Sequence, residues 1–125
     1  MDLIQIDSTS QHLLKKFKKK IDGFVVPRLT KDDKIYLLSQ GDDYVAMIYF
    51  TLEKSAYINY IHTSQNHRKK GHAEFLVRKV MDEIQSAEKR EIDVAILPDC
   101  GSDRIFSKLG FQYTGEHEMK YFFNF

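Results

Sequence analysis

A chain of 125 residues, 42% hydrophobic and 13% aromatic, is long enough for one folded core and too short for two, so a single domain over residues 1–125 is expected. Nineteen Lys and Arg against 18 Asp and Glu give a formal charge of +1, which argues against a partner held by bulk charge, whether nucleic acid or a membrane surface. The single cysteine, Cys100, allows no internal disulfide and no metal-ligand spacing, no apolar run approaches the length of about 20 residues that a membrane span needs, and MDLIQIDSTS lacks a signal-peptide pattern; a soluble, cytoplasmic protein without a metal is expected.

Residues 3–6 form a short apolar run closed by Asp7, a candidate first strand, and Ser8, Thr9 and Ser10 offer caps for a short helix in which Leu13, Leu14, Phe17 and Ile21 share a face. Lys15, Lys16, Lys18, Lys19 and Lys20 fill the rest of that helix. With no aromatic platform between them they read as a solvated face rather than a nucleic-acid patch. Gly23 ends the helix and Pro27 keeps residues 23–34 as a loop. Residues 35–39 and 44–52 are beta runs joined by the polar turn Gln40, Gly41, Asp42 and Asp43, a hairpin pattern; the second is almost wholly apolar or aromatic, the mark of a strand covered on both faces. Glu53, Lys54 and Ser55 then return the chain antiparallel into residues 56–63. Strict alternation there places Tyr57, Asn59 and Ile61 on one face and turns His62 away from them.

The period changes at Gly71. Ala73, Leu76, Val77, Val80, Met81, Ile84 and Ala87 recur at three- and four-residue spacing while charged residues take the other side, which predicts an amphipathic helix. Glu74 with Arg78, and Lys79 with Glu83, are four apart and add about a few tenths of a kcal/mol each if they pair. Between strand and helix lie Arg68, Lys69, Lys70, Gly71, His72 and Ala73. Gly71 permits close backbone approach, the first helical N–H groups have no intrahelical partner, and the helix dipole adds to the cationic side chains, so a pyrophosphate suits this turn. Neither the GxxxxGK[ST] nor the GxGxxG spacing is present. Residues 92–97 are an apolar strand stopped by Pro98, and strand, helix, strand without a hairpin implies a right-handed parallel crossover at the middle of the sheet. The segment from Asp99 to Ser102 caps a short helix with Ile105, Phe106 and Leu109 inward and Gly110 at its end, and residues 112–115 and 119–125 read as a final hairpin.

RKKGHA, residues 68–73, resembles the [RQ]xxGx[GA] signature of the GCN5-related N-acetyltransferase (GNAT) superfamily, and FSKLGF, residues 106–111, resembles that family's YxKLGF element in the expected order and at the expected distance. The second half of the chain carries the resemblance in its motifs, the first half in strand order. It implies an α/β fold with a mixed sheet, an antiparallel meander joined to a parallel strand-helix-strand unit. It also implies acetyl-coenzyme A (acetyl-CoA) held by residues 68–73, backbone groups of Ile61, His62 and Thr63 on the pantetheine and thioester carbonyl, and acetyl transfer to an amine-bearing acceptor by a monomer or homodimer. Such transfer needs a proton acceptor for the ammonium and a proton donor for the departing thiolate. Where several family members carry Glu or His, this chain has Tyr57 and Asn59. His62 is the nearest titratable group and the catalytic candidate, with Glu53, His117 and Glu118 as alternatives that spacing does not separate. Phe106 stands where the family has a thiolate-protonating tyrosine and is expected to pack beside the pantetheine; Asp99 stands where the family often has asparagine. These departures keep a second expectation open, a CoA-binding module of the same fold with little or no catalytic activity.

Overall fold

A computed structural model of the chain describes residues 1–21, 28–96 and 101–124. Among the described residues seven strands, β1 (Asp2–Ile6), β2 (Asp33–Gln40), β3 (Asp43–Leu52), β4 (Ala56–Thr63), β5 (Glu91–Ala95), β6 (Gln112–Gly115) and β7 (Glu118–Phe122), form one sheet ordered β1-β2-β3-β4-β5-β7-β6. The first four make the expected antiparallel meander, and helix α1 (His72–Ser86) carries the chain from β4 to a parallel β5. A shorter helix, α2 (Ser102–Lys108), precedes the final hairpin. The last strand of that hairpin, β7, lies between β5 and β6 and is antiparallel to both.

Two cores form because β3 is apolar on both faces, as its unbroken run requires. On one side Leu76, Val77, Val80 and Ile84 of α1 pack with Ile48, Phe50, Ile58, Ile92 and Val94. On the other, Leu14, Phe17, Ile21 and Leu29 cover Ile35, Leu37, Tyr44 and Met47.

The lysine-rich segment departs from expectation: it forms two 3-10 stretches, Gln11–Lys16 and Lys18–Lys20, rather than one α-helix. A period near three brings Leu14 and Phe17 onto one line and leaves Leu13 exposed. Its start is fastened by Asp7, whose carboxylate accepts hydrogen bonds from the Thr9 N–H at 2.9 Å and the Thr9 hydroxyl at 2.6 Å, while the Ser10 hydroxyl accepts from the Asp7 N–H at 3.0 Å. Lys16 pairs with Asp42 and Lys20 with Asp43, which tie the segment to the β2–β3 turn. On α1 the Glu74–Arg78 pair forms at 3.1 Å, but Glu83 takes Lys34 of β2 at 2.7 Å, and the Lys79 ammonium lies 5.5 Å from the Phe75 ring centre instead. Glu83 thus bonds a neighbour from the sheet rather than the one four residues back on its own helix. Among the described residues no helix is long and apolar enough to cross a membrane.

Candidate active site

The two halves of β4 have different neighbours. Ala56, Tyr57 and Ile58 pair with Ile92, Asp93 and Val94 of β5, and no described residue of β5 pairs with β4 beyond Ile58. From Tyr60 to Thr63 the strand keeps β3 on one edge. At this end lies a cleft of about 560 Å³, lined by Ile61, His62 and Thr63 of β4, by Arg68, Lys69 and Gly71 of the turn, and by His72, Ala73 and Glu74 of α1. Gly101, Ser102 and Ile105, at the start of α2, and His67 complete the wall.

The structure thus brings together Ile61, His62, Thr63, Arg68, Lys69, Gly71, His72 and Ala73. Lys70 is exposed beside the cleft and contributes no wall, and Asp99 lies outside the described residues. Phe106 is not brought to the cleft. It is 1% exposed and packs edge-on against Phe111 at 5.1 Å between ring centres, in the core beneath α1. Ser102 and Ile105, three apart on α2, face the cleft, while Phe106 and Leu109 take the inward stripe. Of the other proton acceptors considered, Glu53, His117 and Glu118 do not line the cleft; the His117 carbonyl accepts the Ile96 N–H at 2.8 Å and Glu118 accepts the Thr114 hydroxyl at 2.7 Å. Motif reasoning missed His67, Glu74, Gly101, Ser102 and Ile105. The signal that could have found Gly101 and Ser102 is the repetition of the Gly71 pattern, a glycine directly before a helix.

At the turn, Gly71 has φ +82°, a conformation that favours glycine, and a Cβ built there meets nothing within 4 Å. The backbone therefore faces open cleft at the position where a phosphate would need close approach. The first helical bond runs from the Phe75 N–H to the Gly71 carbonyl at 3.0 Å, so the N–H groups of His72, Ala73 and Glu74 precede it, and no side chain caps the helix. The Arg68 Nε–H donates to the Thr63 carbonyl at 3.3 Å and ties the turn to the end of β4. Glu74 would oppose an anion here, but Lys108 at 3.0 Å and Arg78 at 3.1 Å bind its carboxylate and hold its pKa below the ordinary value. Burial, with the charges of His67 and Lys70, lowers the pKa of His72 and favours its neutral form at pH 7. His67 in turn pairs with Asp43 at 2.9 Å. With Glu74 neutralised twice over, Arg68 and Lys69 leave the cleft cationic, and this donor set fits a pyrophosphate-bearing ligand.

A β-bulge decides where His62 points. Residues directly opposed across a strand pair share a face. Ile58 opposes Phe50 and Ile61 opposes Ile48, which puts both toward α1, whereas Tyr60 opposes Tyr49 and His62 opposes Met47 on the other side. Ile58 and Ile61 are an odd number of residues apart, which strict alternation forbids. The register shift at this point leaves Asn59 as the extra residue and reverses the alternation after it. The expectation that His62 turns away from Tyr57 and Asn59 is thereby corrected: all three share a side, and Ile61 leaves it. The Asn59 amide donates to the Thr51 hydroxyl at 2.7 Å, which donates to Asp33 at 2.7 Å; Asp33 also accepts the Thr30 N–H at 2.8 Å and the Thr30 hydroxyl at 3.0 Å. Beyond the bulge the His62 ring is nearly parallel to those of Tyr44 and Tyr60, with ring centres 5.8 Å and 6.1 Å away, and its Nδ1 lies 2.9 Å from the Tyr44 hydroxyl oxygen.

The family model described as FR47-like protein matches residues 38–121. Comparison with curated protein sequences finds no match. Among solved structures, Escherichia coli ElaA superposes with a TM-score of 0.79 at 15% identity, covering 96% of this chain and 99% of that one. Tetrahymena GCN5 gives 0.75 at 15% identity over 99% and 97%, and the NatC complex bound to Gag peptide and CoA gives 0.70 at 14% identity over 99% and 100%. At these identities the likeness is one of fold.

Proposed function

The chain belongs to the FR47-like family, within the GNAT superfamily, and from that premise we propose that it is an N-acetyltransferase which moves an acetyl group from acetyl-CoA to an amine of a small molecule or protein. The observation that carries this reading is the junction of the half-open end of β4 with the glycine turn before α1, which joins a backbone edge to an anion-binding helix terminus in one cleft. Arg68, Lys69, Gly71 and the first amides of α1 would hold the pyrophosphate, and the β4 backbone at Ile61, His62 and Thr63 would align the pantetheine and polarise the acetyl carbonyl. Bound acetyl-CoA supplies the acetyl group as a thioester whose thiol, with a pKa of about 8.5 judged from cysteine, leaves readily. His62 accepts the proton that the acceptor ammonium must lose before its nitrogen can attack.

Phe106 supports a second reading, a CoA-binding module with little turnover. With the ring in the core, no phenolic proton is offered from this position to the departing thiolate. Two measurements separate the readings. Under the first, millimolar acetyl-CoA raises the melting temperature and thiol is released when an amine panel is added. A raised melting temperature without thiol release over a broad panel supports the second, and a melt unaffected by acetyl-CoA sinks both.

A further inference from the structure

We propose that His72 is a proton-linked anion-binding residue: its imidazole takes up a proton when the pyrophosphate binds, and the imidazolium adds its charge to those of Arg68 and Lys69. The inference rests on the coenzyme A reading of the cleft and not on turnover. His72 is the first residue of α1, directly after the Gly71 turn, and lines the cleft with Arg68, Lys69 and His67. A phosphate bonded to the first amides of the helix is within about a screening length, ~8–10 Å at moderate salt, of an imidazole on the first helical residue. The two interact by proximity, without need of direct contact.

The charges around His72 are unevenly matched. His67, on the 3-10 turn Gln65–His67, meets it edge-on with ring centres 6.3 Å apart, and has a carboxylate of its own in Asp43 of β3 at 2.9 Å, which Lys20 approaches at 3.9 Å. On α1 the Glu74 carboxylate is held by Lys108 and Arg78. From β4 the titratable residue at the cleft is His62, and α2 brings the uncharged Ser102 and Ile105. The turn itself adds three cations, Arg68, Lys69 and Lys70, and among the described residues none forms an ion pair with His72. Burial, then the charges of His67 and Lys70, hold its pKa below the ordinary value, so that without an anion the ring is neutral at pH 7. A pyrophosphate supplies the anion that this group lacks, and a nearby anion favours the protonated ring. The pKa of His72 is therefore higher in the complex than in the free protein. Affinity is highest below the free value, falls as pH rises through the interval between the two, and is level above the bound value.

The test is isothermal titration calorimetry with acetyl-dephospho-CoA, which keeps the pyrophosphate and lacks the 3′-phosphate monoester, whose own titration near neutrality would mimic the effect. At about pH 6.5, where an imidazole titrates, heats in two buffers of different ionisation enthalpy give the protons exchanged. Wild type is expected to take up a fraction of a proton per ligand and to bind about three- to tenfold more weakly at about pH 8 than at about pH 6. His72→Gln should lose the uptake and flatten the pH dependence, whereas His12→Gln, on an exposed position that does not line the cleft, should match wild type. Should His72→Gln fail to fold, the wild-type ring decides: its Cε1–H resonance, assigned through the backbone, must titrate at higher pH in the complex than in the free protein. Binding without proton uptake, or with equal uptake in wild type and His72→Gln, overturns the proposal and leaves the coenzyme A reading standing. No binding of acetyl-CoA at any pH overturns that reading and the proposal with it.

Discussion

The two halves of β4 are continuous in sequence and opposite in physical role. Ala56–Ile58 has a strand on each edge and contributes side chains to the core beneath α1; Tyr60–Thr63 has β3 on one edge and the cleft at the other. The first half supplies stability and the second lines the cleft, where among the described residues no strand pairs with it opposite β3. Asn59, whose amide donates to the Thr51 hydroxyl that in turn donates to Asp33, marks the change between them.

The largest effect that would break this division comes from Phe106, which packs with the core of the paired half. Phe106→Ala is expected to cost about 3–5 kcal/mol of stability, the range for buried phenylalanine, read by chemical denaturation without ligand. If stability is kept and only acetyl-CoA affinity falls, the ring belongs to the cleft instead. Gly71→Val tests the open half. Wild type should gain about 2.7 kcal/mol from acetyl-CoA at a hundredfold excess over its dissociation constant, and the valine variant should lose that gain, because its side chain would fill the space that a phosphate needs. Since φ +82° also strains any side chain, each protein is melted with and without ligand and the two shifts are compared.

Asp33 sharpens the boundary. Burial alone would raise its pKa, but hydrogen bonds from the Thr30 N–H and from the Thr51 and Thr30 hydroxyls outweigh it and hold the carboxyl below its ordinary value. A depressed native pKa means stabilisation that is fully present above the unfolded pKa of about 3.9 and lost as pH falls through the lower native value. Asp33→Asn should therefore cost about 1–3 kcal/mol at pH 7, with the gap to wild type closing in acid below about pH 4. A gap independent of pH would mean that the carboxylate charge is not what holds the bulge. The smallest expected effect separates two lysine clusters. Neutralising Lys69 and Lys70 to glutamine should weaken acetyl-CoA about tenfold, near the value of one charge-assisted hydrogen bond, whereas Lys15→Gln with Lys19→Gln should leave titrated affinity unchanged at physiological salt.

The sequence by itself determined the meander, the doubly covered β3, the amphipathic α1, the parallel crossover and the cationic glycine turn. Each rests on a local pattern: a period of two or 3.6, a polar turn, or a glycine before a helix. The turn that lines the cleft was legible for the same reason, since Arg68, Lys69, Gly71, His72 and Ala73 are near neighbours in the chain. Only the tertiary structure decided what depends on pairing between distant residues. The side on which His62 lies follows from a bulge set by register against β3. Phe106 goes to the core because α2 presents Ser102 and Ile105 to the cleft. Glu83 bonds Lys34, forty-nine residues away, rather than Lys79. The insertion of β7 between β5 and β6 and the 3-10 form of the lysine segment belong to the same class. Local pattern records which residues prefer burial; register and packing choose which neighbour each one meets, and those choices are made between segments that the chain order keeps apart.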